Sequence, residues 1–354
     1  MNIRVRVTGL LAAASLLVVG LGCPPEDDPD PPEDVEYEVQ LVGENQVPSV
    51  ATPADGTMDV EFEDDILTIE GTFDDLVSEL TEIDGSAAHI HEGTDDEAGP
   101  ILYNVAVEAD DDNRSGEFSF SQELTDDEAQ MFANEELYLN IHTEAYPDGE
   151  LRGHLDENAP EFADVDESWG ISLSGDDHLH DVETEADGWA WSVLRDDDSF
   201  VSSGAAQNLT SEVTEVTLEA AEPDEIGDVV FTYDHEMRDR DYDNNHNNDD
   251  HDNNNDNDND NGNNDDDNGN NDDDNGNNDD DVAGELEDQT VRFWLTEDLT
   301  DDQVDVLTDG NYYINVYTEE FEDDGELRGQ IEDDAGFWDN LFGTDDELDE
   351  APPF

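Results

Sequence analysis

The feature that most constrains this chain is an internal repeat. Residues 140–155 read NIHTEAYPDGELRGHL, and residues 315–331 read NVYTEEFEDDGELRGQI. Each stretch follows a matching run, LTDDEAQMFANEELYL in the first case and LTDDQVDVLTDGNYYI in the second. A looser match joins residues 39–61, VQLVGENQVPSVATPADGTMDVE, to residues 171–193, ISLSGDDHLHDVETEADGWAWSV. The units therefore run over 35–156 and 168–332, with an acidic linker at 157–167. The second is longer because positions 241–281 are almost wholly Asp, Asn and Gly. Without those 41 residues the units are 122 and 124 residues long. Equal lengths mark a duplication, so the chain must build one small fold twice.

That fold reads as all-β. Met58, Val60 and Phe62 alternate with acids, the period of a half-buried strand. Leu137, Leu139 and Ile141 alternate with Tyr138, Asn140 and His142, and Val291, Phe293 and Leu295 alternate with Arg292 and Trp294. ADG and PDG turns separate such runs. One short helix is predicted in each unit, at LTDDEAQMFA and LTDDQVDVLT, where Thr125 or Thr300 caps and the following acids suit the N-terminal dipole. Many short strands with frequent turns predict two tandem antiparallel, Greek-key-like β-sandwich or barrel domains.

Charge narrows the setting. The 354 residues hold 105 Asp and Glu against nine basic residues, all Arg, for a formal net charge of −96. Such a surface cannot neutralise phosphates, which excludes nucleic acid as a partner. It also excludes docking on anionic lipid through a basic patch. Self-repulsion on this scale destabilises a compact state unless salt screens it, and near 1 M the Debye length falls to roughly 3 Å. The composition predicts a halophilic protein. At the N-terminus, Arg4 and Arg6 precede an apolar run from Gly9 to Leu21 that is short for a membrane span and suits a signal peptide over 1–22. It ends at Cys23, the chain's single cysteine, which has no partner for a disulfide. The arrangement resembles a bacterial lipoprotein signal, with Gly20 departing from the pattern. The resemblance implies cleavage before Cys23 and lipid on that residue. Residues 23–34, Pro-rich and acidic, would then form a stiff tether. The expected address is the outer membrane, periplasm or cell surface.

QVPSV, then AAHIHEG followed by GPILYNV, then LYLNIHTEAYPDGELRGHL occur in that order and together resemble the CHRD domain, named after chordin and found in many bacterial secreted proteins. The second unit resembles the family mainly in NVYT and GELRG. The resemblance implies an all-β domain in an extracellular setting, with no known enzymatic activity. It suggests a non-catalytic binding or adhesion role toward an extracellular protein or glycan.

Four histidines, His89, His91, His142 and His154, sit within these motifs. His89 and His91 flank Ile90, so on a strand both point to one face. Two readings stay open. Either the four hydrogen-bond within the sheet, or they bind Zn or Cu, with metal-dependent chemistry as the enzymatic extension. In the second unit the aligned positions are Leu218, Ala220, Tyr317 and Gln330. Arg152 and Arg328 occupy equivalent places in GELRG and are expected to act as buried latches, with Glu150 and Glu326 two residues earlier as in-strand partners. The insert at 241–281 includes three copies of NGNNDDD, has nothing apolar to bury and is expected to be disordered. Its oxygens would hold Ca or Mg weakly at best, because Asn268 stands where a calcium loop needs Glu. In the acidic tail at 333–354, Phe337, Trp338, Leu341 and Phe342 would line one helical stripe.

Overall fold

The computed structural model describes residues 34–180, 182–223, 225–239 and 289–332. The signal segment, Cys23, the tether, the insert and the tail stripe lie outside the described residues.

In the first domain, β1 (Val35–Leu41), β2 (Asp55–Glu63), β3 (Ile66–Asp74), β4 (Ala88–Glu92), β5 (Ile101–Ala109), β6 (Gly116–Glu123), β7 (Leu137–Ile141) and β8 (Leu151–His154) form one antiparallel sheet. The order is β1-β2-β3-β6-β5-β4-β7-β8. Alternation fixes the face of β2, whose odd positions are exposed while Met58, Val60 and Phe62 lie in the core. Asp64 and Asp65 both take positive φ in the two-residue turn to β3, a backbone that Asp tolerates and tight hairpins favour. The sheet closes on itself just past the end of β1, against β8. Val42 and Arg152 exchange both backbone hydrogen bonds at 3.1 Å, so β1 and β8 have no free edge there.

Between β6 and β7 lies α1 (Asp126–Ala133), which covers the core with Ala129 and Phe132. Thr125 and Glu128 complete a capping box at its start. Phe132 stacks on Phe62 at 5.0 Å between ring centroids.

The second domain repeats this plan. It comprises β9 (Val165–Ser174), β10 (Asp187–Arg195), β11 (Ser199–Gln207), β12 (Val213–Ala220), β13 (Asp228–Thr232), β14 (Asp234–Asp239), β15 (Gln289–Asp298), α2 (Asp301–Thr308), β16 (Tyr312–Thr318) and β17 (Leu327–Ile331). The strand order is β13-β12-β16-β17-β9-β10-β11-β15-β14. Arg328 pairs with Ser174 where Arg152 pairs with Val42, so closure recurs at the same point. The single strand β5 corresponds to β13 and β14 together, separated by the buried Tyr233. The insert joins β14 to β15, which are hydrogen-bonded neighbours. It therefore hangs from a hairpin. β9 starts at Val165, inside the predicted linker, and Phe162 bonds through its backbone to the Gln40 side chain, so part of that linker is docked.

A third apolar cluster joins the domains. Val50, Ala51, Val77, Ala145 and Tyr146 of the first pack with Trp189, Trp191, Val193, Val201 and Ala205 of the second. Tyr146 meets Trp189 edge-on at 5.5 Å. Three arginines of the second domain span the same boundary. Arg195 donates to Glu44, and Arg238 and Arg292 both donate to Asp148.

Candidate metal centre

Strand β4 places His89 and His91 on the same face, and its antiparallel pairing sets them against β7, with His89 opposite Asn140 and His91 opposite Tyr138. His142 follows β7 directly and continues that face. The other parity of β7, Leu137, Leu139 and Ile141, belongs to the core. Both faces of β7 are thus buried, one against apolar side chains and one against the histidines.

His89, His91 and His142 converge. One ring nitrogen from each lies within 4.8 Å of the others, and their exposures are 0%, 7% and 3%. The His91 Nδ1 is 2.9 Å from the Gly99 carbonyl and the His142 Nδ1 is 2.7 Å from the Pro147 carbonyl. A carbonyl only accepts, so each Nδ1 carries the hydrogen and each Nε2 is left with a lone pair. Neither Nε2 has a hydrogen-bond partner, and neither nitrogen of His89 completes one. The Ile83 backbone pulls the His89 ring toward the charged form, but less than burial pushes it the other way.

Burial is the main cause holding these rings neutral. It lowers His91 to about 4 and His142 to about 3, and it lowers His89 as well. Mutual repulsion adds to the effect at His91 and His142. The result is a water-poor pocket lined by lone pairs with no donor facing them. Buried acceptors left this way are costly, and a cation is the natural group to satisfy all three. A trigonal ion with bonds of about 2.0 Å needs nitrogens roughly 3.5 Å apart, so small ring movements complete the site. The backbone carbonyls behind His91 and His142 already fix their tautomers, as outer contacts of metal-binding histidines commonly do.

His154, predicted with this group, is not brought into it. Its Nε2 accepts from the Arg152 Nε at 3.1 Å, and its Nδ1 lies 3.3 Å from the exposed carboxylate of Asp95. The strand β8 turns it toward Tyr138 and Arg152, one strand away from the trio.

The two repeated arginines have matching surroundings. The Arg152 guanidinium lies 3.6 Å over the Tyr138 ring, and that of Arg328 lies 3.6 Å over the Tyr313 ring. Arg152 donates to the carbonyls of Thr94 and Glu97, and Arg328 to that of Glu225. Each pins the loop that follows the strand carrying the site positions. The expected in-strand pairing with glutamate does not form. Glu150 instead accepts from Thr52, Thr143 and the Val77 amide, and Glu326 accepts from Thr184, Thr210 and Thr318. Both glutamates precede their strands and, fully buried themselves, are held by threonine hydroxyls rather than by the arginines.

Pairing also corrects the alignment of the second domain. Thr217 faces Asn315 and Glu219 faces Tyr313, with a bulge at Leu218/Glu219 where the first domain has one at Ile90/His91. Thr217 and Glu219, not Leu218 and Ala220, therefore stand in the places of His89 and His91. Tyr317 stands in that of His142. Here the pocket is filled from within. Glu219 accepts from Thr217 at 2.9 Å, from Tyr317 at 2.7 Å, and from Tyr313. Burial and this carboxylate push Tyr313 up to about 12.

Tyr138, Asn140 and Gly99, all part of the supporting frame, were not singled out from sequence. Their signal was the repeat itself, since Tyr313, Asn315 and Gly227 play the same parts. The Gly99 amide donates to Tyr138 as the Gly227 amide does to Tyr313.

The family model of the CHRD domain matches residues 37–155 and again 169–331. No curated protein and no solved structure matches the chain.

Proposed function

The chain belongs to the CHRD family, and on that footing we propose that it is a non-catalytic binding protein of the cell exterior whose first domain holds one transition-metal ion, zinc or copper, on His89, His91 and His142. The convergence of three buried, unpartnered imidazole nitrogens carries this reading. The second domain holds no such ion, because Thr217, Glu219 and Tyr317 satisfy one another. The same proposal places the protein on the surface of a halophile, tethered by lipid on Cys23 and turned toward an extracellular protein or glycan.

Dialysis of the full chain against zinc or copper in about 1 M KCl, which screens the acidic surface, should leave one ion per chain. Joint replacement of His89 and His142 by Ala should abolish it while leaving the strand content unchanged. Absence of a retained ion in the wild type would overturn the metal assignment. For the anchor, fatty-acid labelling in cells should vanish in Cys23→Ser, and persistent label would refute it.

A further inference from the structure

We infer that the ion this site selects is monovalent copper. The inference rests on the metal reading above and names its ligand class. Among the described residues the clustered donors are three imidazoles, with no carboxylate or thiolate joining them. An ion bound there keeps its full charge inside a pocket whose walls are 0%, 7% and 3% exposed. The solvation lost on burying an ion grows with the square of its charge, so a divalent ion loses about four times what a monovalent ion loses.

The surrounding charges do not make up the difference. Asp84 lies near His89 and Asp148 near His142, while Arg152 lies near His91. The Asp148 carboxylate is already held by Arg238 and Arg292. Glu236 also pairs with Arg238 and Arg292, and Asp95 lies near Arg152, so four carboxylates stand against three guanidinium groups, close to balance in a chain that elsewhere carries acids in large excess. None of these carboxylates joins the three ring nitrogens, so a divalent ion there would gain no directly bound negative charge.

Coordination number points the same way. Zinc on three histidines completes its shell with a water, and divalent copper takes tetragonal nitrogen and oxygen sets, so each needs an added oxygen ligand in this buried pocket. A filled-shell monovalent ion is content with three nitrogens in a plane. The Nδ1 contacts to Gly99 and Pro147 orient two of the three rings for this.

The test uses the full chain, anaerobically, in about 1 M KCl. Cuprous ion is titrated in competition with bicinchoninate, and zinc in competition with a chromophoric zinc chelator. The expected result is one cuprous ion per chain, bound at least tenfold more tightly than zinc. X-ray absorption of the wild-type complex should show three nitrogens at about 2.0 Å and no oxygen or sulfur, a readout independent of whether any variant folds. Zinc bound at the histidines within tenfold of cuprous ion, or more tightly, would overturn the cuprous assignment and leave the metal site standing. A fourth protein ligand in the absorption spectrum would do the same. Retention of neither ion would overturn both.

Discussion

At the scale of single residues, the buried titratable groups pull stability in opposite directions with pH. Burial pushes Glu150 up to about 7 from 4.5, against the pull of Thr52, Val77 and Thr143. Between those values the folded chain keeps a proton that the unfolded chain has released. The contribution of Glu150 is therefore full below pH 4.5 and is lost as pH rises through 7, a change on the order of 3 kcal/mol. The histidines run the other way. His91 at about 4 and His142 at about 3 lie below the usual 6.5, so their contribution is present above 6.5 and is lost as pH falls. In Glu150→Gln the amide accepts from Thr52 and Val77, while Thr143 rotates to accept from it. Urea unfolding at a series of pH values should show wild type losing stability relative to this variant from about pH 5 to 7. A difference that does not change with pH would remove Glu150 as a titrating group.

At the scale of elements, much of the architecture is written in the sequence. The period of β2, the capping boxes of α1 and α2, and the shared face of His89 and His91 all follow from local spacing. The meeting of β4 with β7, which brings His142 to that face, depends on pairing between segments about 50 residues apart and is not encoded locally. The misalignment of the second domain has a specific cause. Leu218 is an apolar residue on the core face, where it pairs with Ile314 as Ile90 pairs with Leu139. Alternation alone does not say which parity faces inward, and a one-residue slip flips every side chain. The glutamate partners of Arg152 and Arg328 were misread for a related reason. Counting two residues back assumes an unbroken strand, but β8 and β17 begin after Glu150 and Glu326. Gly149 and Gly325, at positive φ, turn the chain just before those glutamates. A side chain at either glycine would strike Asn140 or Asn315.

At the scale of the whole molecule, the scarcity of positive charge makes the interdomain contacts legible in retrospect. Arg195, Arg238 and Arg292 reach acids of the first domain, while Arg152 and Arg328 pin loops within their own domains. The boundary between the domains was invisible in the sequence because Trp189, Trp191 and Val193 read as one more strand face. Their burial is against the other copy. One consequence is measurable. Asp148 adjoins Pro147, whose carbonyl orients His142. Arg238 is the more exposed of the two cations on Asp148. Replacing it by Ala should weaken metal binding about tenfold, the scale of an outer contact to a metal ligand, with the three histidines intact. Unchanged affinity would show that the second domain does not position the loop.

The grip of Arg238 and Arg292 on Asp148 also bears on what happened after the gene segment doubled. A copy without the ligands is ordinarily free to decay, because nothing depends on it. Here the copy that fills its own pocket also holds the Asp148 loop of its sibling, so the proposed ion would draw on both domains. The division of labour predicts that a chain without the second half loses its hold on the Asp148 loop, and with it the geometry of the first domain's pocket.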